Sequence, residues 1–232
     1  MRKRISCLFR PLVLFAFCGF ANGATPAFEL RCQAEMPRMS IEIYAEQNGY
    51  KIYNNVSARI LSEKGTHNYS SELLMGLTDL NSVIEIFFDG KVLVDAEAGK
   101  ECLVPQIDVI LRYNQMRVYV AREFSEFSCP FREMLQHEMH HVQIYQEQLP
   151  KVRDRVRAAM QARFSQGALI AAQGQVKATL DNEMDSYWLP YIRRELNQVE
   201  QLQRDFDSKE ETFRLSNSCF GQTSSAMGGS FY

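Results

Sequence analysis

Residues 129–149 read CPFREMLQHEMHHVQIYQEQL, and the spacing of apolar positions in this stretch decides the fold. With His137 set at zero and each residue advancing about 100°, Met134, Tyr145, Phe131, Leu149, Val142 and Leu135 fall between about 60° and 160° of the helical wheel. One contiguous apolar stripe of that width marks a helix buried along one face. Pro130 suits a first helical turn. The spacing predicts a helix over 130–148, broken or kinked at Pro150, followed by a charged helix over 151–164.

On the N-terminal side of this stretch the period changes. Short β-prone runs, FELRCQA, SIEIYAE, YKIYNN, VIEIFF, KVLVDAE, QIDVILRY and MRVYVAREF, alternate with turn residues between 28 and 127. Asn48-Gly49 and Asp89-Gly90 are tight-turn pairs, and the second sits between two runs as a hairpin turn would. Residues 62–81 leave room for a short helix. On the C-terminal side a helical stretch starts near Gln173 and is interrupted by Pro190. RRELNQVEQLQRDFDSKEETF reads as another helix, and GQTSSAMGGSFY as a loose tail tethered by Cys219. The expectation is one α+β domain over 24–232, with a mostly antiparallel sheet in 24–128 and a helical half in 129–232.

The chain opens MRKRISCLFRPLVLFAFCGFANGA. Arg2, Lys3 and Arg4 precede an apolar run that ends in small residues, the layout of a secretory signal peptide over 1–23. The run is interrupted by Arg10 and Pro11 and is too short to span a bilayer, so no stable membrane insertion is expected once it is cleaved. The expected location is secreted or periplasmic. The leader carries four cations and no acid, so its loss moves the formal net charge from −2 to −6. That balance argues against nucleic acid or another polyanion as partner. Cys32, Cys102, Cys129 and Cys219 remain, which suggests two disulfides in an exported chain. Three pairings are open; pairing within each half joins Cys32 with Cys102 and Cys129 with Cys219. A cysteine-ligated zinc site would need closer spacing.

His137-Glu138-Met139-His140-His141 places two histidines four residues apart. On a helix their imidazoles share a face about 6 Å apart, a span that one zinc ion bridges with bonds of about 2.0–2.1 Å. Glu138 falls at about 100°, in the middle of the apolar stripe. A carboxylate there is costly to bury without a task, and its position suits a metal-activated water better than the metal itself. His140, at about 300°, points away from the stripe. The same five letters arise by chance on solvated helices; the inward-facing Glu138 weighs against that reading.

Across Met134 to Val142 the chain resembles the zincin superfamily of metallopeptidases, whose active-site helix carries HExxH beneath a sheet with a substrate-binding edge strand. Met139, His140 and Val142 are uncharged as in that family, and Gln143 departs from it. The glycine and third histidine of metzincins are absent from QIYQEQLP. The resemblance implies a Zn2+-dependent peptidase in which Glu138 is the general base and a peptide or protein substrate lies extended beside the sheet edge near MRVYVAREF. A catalytic zinc takes three protein ligands. In VKATLDNEMDSYWLPYI, Glu183 borders the apolar stripe at about −60° from Leu180, while Asp181 and Asp185 turn away. Glu183 is the expected third ligand and Asp185 the alternative, an arrangement similar to that of gluzincins. Tyr187, one turn on, is the expected hydrogen-bond donor to a developing oxyanion. Asp181 or Asp185 is expected to orient a ligating imidazole, and His67 is a minor ligand candidate. The rival expectation is an exported non-catalytic protein with a structural zinc, or a decayed relic of a peptidase.

Overall fold

The computed structural model describes residues 26–65, 73–165 and 167–223. The leader, His67, Asn68 and the tail from 224 lie outside the described residues. The first run read as strand is a helix, α1 (Pro26–Glu35). Phe28 and Cys32 are both buried there one helical turn apart, a period of four where a strand would need two.

After α1 come β1 (Ser40–Gln47), β2 (Tyr50–Tyr53), α2 (Ala58–Lys64), β3 (Gly76–Asp79), β4 (Ser82–Asp89), β5 (Val92–Asp95), β6 (Lys100–Leu103), β7 (Gln106–Tyr113) and β8 (Met116–Val120). They form three-stranded sheets in the orders β1-β7-β4 and β2-β8-β3, and a third, β5-β6-β9, is completed by β9 (Leu169–Ala172) from the helical half. The fold is therefore mixed α+β. The pairings of β1 with β7 and β2 with β8 are parallel, and the other four are antiparallel.

Registers join the first two sheets. Ser40 faces Gln106 and Tyr53 faces Tyr119 with no change of offset, so residues 40–53 run beside 106–119 as one ribbon interrupted at Asn48-Gly49 and Asn114-Gln115. Gly49 takes φ +68°, the left-handed conformation that lets the ribbon break there. The hairpin expected at Asp89-Gly90 does not form, because β4 pairs with β7 and β5 with β6. Gly90 instead allows a close crossing between sheets: a Cβ on it would meet Leu103 Cγ and the Val104 carbonyl oxygen at 2.8 Å.

The HExxH stretch lies on α3 (Cys129–Phe164), which runs unbroken through Pro150, where a break or a kink was expected. Proline at 150 leaves the Gln146 carbonyl without its helical donor. Gln47 Nε2 donates to that oxygen at 2.8 Å, so the carbonyl is satisfied from β1. Val142, Tyr145, Leu149, Val152, Val156, Met160 and Phe164 are buried along the expected stripe, against Ile41, Ile43, Val109 and Leu111 of the sheet and Leu180, Trp188, Ile192 and Val199 of the following helices. Those helices are α4 (Val176–Glu183), a π-helical turn (Met184–Trp188), α5 (Leu189–Phe206) and α6 (Lys209–Asn217). The wider π turn lets the chain stay helical into Pro190. Both disulfides join residues within a half, Cys32 with Cys102 and Cys129 with Cys219.

Candidate metal centre

The stretch read as one helix to Phe213 is broken at Asp207-Ser208. Ser208 caps α6, accepting from the Glu211 backbone N–H at 3.2 Å, and so starts a new helix. Asp207 caps the end of α5 and stands at the corner between the two helices. The corner faces His137 and His141 on α3. His137 Nε2 lies 3.2 Å and His141 Nε2 2.9 Å from Asp207 Oδ1, and the two Nε2 atoms are 3.2 Å apart. Four ligands placed tetrahedrally at 2.0–2.1 Å from zinc stand about 3.3 Å from one another. The three observed separations match that spacing, so the donor set fits a divalent cation.

The far side of each imidazole is also held. Gln203 of α5 donates from Nε2 to the His141 carbonyl at 3.1 Å, which turns its Oε1 towards His141 Nδ1 at 2.6 Å and makes that nitrogen the donor. His137 Nδ1 lies 3.0 Å from Glu211 Oε1, so its N–H donates to that carboxylate. With both Nδ1 positions protonated, the neutral imidazoles turn lone pairs, together with a carboxylate oxygen, towards one point. Three acceptors facing one another need a cation or added protons between them. Burial opposes charging of His137 and His141, but Asp207 and Glu138 outweigh it and raise both pKa values. Burial likewise pushes Asp207 up, and its hydrogen bonds to the two histidines hold it well below the usual carboxylate range.

Glu138 is 3% exposed. Its Oε2 accepts from Thr78 Oγ1 of β3 at 2.8 Å. Gly76, two residues earlier in β3, packs so closely that a Cβ there would come within 2.7 Å of Met134 Sδ and closer still to Glu138 Oε1. Burial pushes the Glu138 carboxyl up, against the pull of His137, His141 and the Thr78 hydroxyl. The ring of Phe206 stacks on His137 at 4.9 Å, and His140, exposed as expected, lies over Phe206 at 4.1 Å. A cavity of about 280 Å³ opens here, lined by Gln136, His137, His140, Phe206, Glu211 and Arg214.

The structure brings His137, Glu138 and His141 together and leaves Glu183 and Tyr187 elsewhere. The Glu183 carboxylate accepts from Arg163 at 2.8 Å and from Trp188 Nε1 at 3.2 Å. Arg163 lies about six turns beyond His141 on α3, roughly 33 Å along the axis, which places Glu183 at the opposite end of the helix. Tyr187 follows it in the π turn, 54% exposed and stacked on Tyr191. Asp181 and Asp185 are exposed on the same segment. Among the described residues the group able to hold a metal is His137, His141 and Asp207. The sign of Asp207 in the sequence is Ser208-x-x-Glu211, a capping-box pattern that marks a helix start and hence a corner just before it. The sheet edge also moves: β8 is the central strand of its sheet, and β3 is the edge beside Glu138. No protein-family model matches the chain, and neither a curated protein nor a solved structure is significantly similar to it.

Proposed function

We propose that this chain is an exported, zinc-dependent metallopeptidase of zincin-like construction, with Asp207 in the place the gluzincin likeness gave to Glu183. The convergence of His137 Nε2, His141 Nε2 and Asp207 Oδ1 beside a buried Glu138 carries the reading. Zinc held there would lower the pKa of a coordinated water and polarise a scissile carbonyl. Among the described residues this group has three members, the number of protein ligands that a catalytic zinc takes, where a structural zinc takes four. The four cysteines of the described residues are spent in disulfides.

Glu138 takes a proton from the attacking water and delivers it to the leaving amine, a role that suits a carboxylate whose burial raises its pKa. Thr78 keeps one of its oxygens occupied and so fixes the direction of the other. An extended peptide adds to β3, the edge strand of its sheet, through main-chain hydrogen bonds. The cavity beside His137 has room for one of its side chains. Export is supported by the leader pattern and the two disulfides. No helix of the described residues is long and apolar enough to cross a membrane.

The test is zinc content by elemental analysis together with cleavage of a mixed peptide library by wild type and Glu138→Gln. The expected result is one zinc per chain in both and a loss of about 10²–10⁴-fold in cleavage for the variant. A zinc-loaded wild type that cleaves nothing would establish the structural-zinc alternative instead.

A further inference from the structure

Helix α6 carries Glu211 to the back of His137, yet little of it is packed. It has nine residues, of which Leu215 and Ser216 are buried. Helices this short are marginal on their own. Leu215 is the one apolar anchor among these residues, set into a cluster with Tyr119, Phe124 and Met134. Arg214 braces the arrangement: its Nε and one terminal nitrogen hold both Glu211 oxygens at 2.7 and 2.8 Å, and the other terminal nitrogen reaches Glu133 of α3 at 2.9 Å. Arg214 is 46% exposed and Glu133 31%, so solvent screens this pair.

Beyond α6 the chain kinks through a short turn, Ser218–Gly221. Cys219 and Phe220 both hold positive φ, 56° and 57°, a conformation unfavourable for residues with a side chain. Phe220 is fully exposed, so packing does not impose this conformation. Among the contacts that fasten the turn are the Ser218 hydroxyl, which donates to the Leu215 carbonyl at 2.6 Å and pairs with Thr223, and the bond from Cys219 to Cys129, in the first turn of α3. Cys129, Glu133 and His137 are one turn apart along α3, and Cys219, Arg214 and Glu211 run back along the partner segment in the matching order.

We propose that the Cys129–Cys219 disulfide is a latch on the metal centre, holding α6 on α3 so that Glu211, braced by Arg214, keeps His137 oriented for metal binding. Arg214 and Glu211 are positioning residues that act through His137. The latch rests on the zinc-binding reading of the site but not on peptidase activity.

The experiment measures zinc affinity of the full chain by competition with a chromophoric chelator. Cys129→Ser/Cys219→Ser is expected to weaken binding about 10–100-fold, the range for loss of an outer-shell partner. Cys32→Ser/Cys102→Ser removes a disulfide from a cluster that shares no residue with the site and is expected to leave affinity within about twofold. Glu211→Ala is expected to match the first variant, Glu211→Gln to recover most of the loss because its amide oxygen still accepts from Nδ1, and Glu211→Ala combined with the latch variant to add nothing. If the latch variant loses its wild-type circular dichroism, Arg214→Met is read in its place. Unchanged affinity in the latch variant, or losses that add in the combination, overturns the latch while leaving the zinc site standing. A wild type without zinc overturns both.

Discussion

Replacing Gly76 by Ala tests whether the β3 edge positions Glu138. Gly76 is not needed for a left-handed backbone; it is needed for space. A Cβ built on it meets Glu138 Cδ at 2.9 Å and Met134 Sδ at 2.7 Å, where ordinary contact begins at 3.4 Å. The carboxylate must therefore retreat by at least half an ångström, and Oε1, which is nearer than Cδ, by more. It has little freedom to do so, because Oε2 is tied to Thr78 at 2.8 Å and the side chain is 3% exposed. A misplacement of about 1 Å in a reacting group costs on the order of 10²-fold in rate. Gly76→Ala is thus expected to lower kcat by about 10–100-fold, equivalent to about 1.4–2.7 kcal/mol of barrier. Overpacking adds about 1–3 kcal/mol of destabilisation. That sign is opposite to the usual effect of Gly→Ala in an open site, which stabilises by about 0.4–1 kcal/mol. Zinc content is expected to be unchanged, since the side chains that the new Cβ crowds most closely, Glu138 and Met134, are not among His137, His141 and Asp207. The assay is steady-state cleavage of a peptide turned over by the wild type, with zinc analysis and thermal melting of the same preparations. A variant with wild-type kcat and an unchanged or raised Tm would refute the reasoning.

Four further outcomes follow from named contacts. Asp207→Ala should lower zinc affinity by more than the roughly 10–100-fold typical of an outer-shell partner, while Glu183→Ala keeps full zinc and loses about 1 kcal/mol of stability with its Arg163 pair; equal zinc loss in the two would place the third ligand at the wrong acid. Pro150→Ala should stabilise the fold by roughly 1–3 kcal/mol by restoring a helical donor, and Gln47→Ala should destabilise the wild type but not the Pro150→Ala chain, as read from denaturant midpoints. Glu101 accepts from the Val176 backbone N–H at 2.7 Å at the start of α4, and that bond lowers its pKa in the fold. Its contribution is present above the unfolded value of about 4.3 and is lost as pH falls through the lower folded value; Glu101→Gln should flatten the drop in Tm between pH 6 and 3. In the metal-free protein the raised pKa values of His137 and His141 give stability below about 6.5 that is lost as pH rises through the folded values; a Tm that climbs over that range would contradict the assigned partners.

Residues 134–142 were readable because they lie within one helix. Side chains four apart on a helix meet whatever the rest of the chain does, so His137, Glu138, His141 and the buried stripe through Leu149 could be placed by angle alone. The runs that became β1, β2, β4, β5, β7 and β8 were legible as strands for the same local reason. Their partners were not. The sequence cannot tell a hairpin at Asp89-Gly90 from a crossing between sheets, nor a helix with buried Phe28 and Cys32 from a strand. It also could not show that Gln47 would serve the carbonyl left bare by Pro150, since that contact spans 99 residues.

The acid that joins the two histidines in the candidate metal group shows the division most plainly. Glu183 and Asp207 are both acids at the edge of an amphipathic helix, and a wheel ranks them by angle without knowing how far along α3 each helix returns. Position along the axis is decided by packing: α4 returns beside Arg163, and only at its far end does α5 reach the histidines. By itself the sequence determined which side chains could act together on α3, namely two imidazoles and an inward carboxylate. The tertiary structure alone decided which acid stands beside the two imidazoles, because that placement depends on distances between segments far apart in the chain, which no local period encodes.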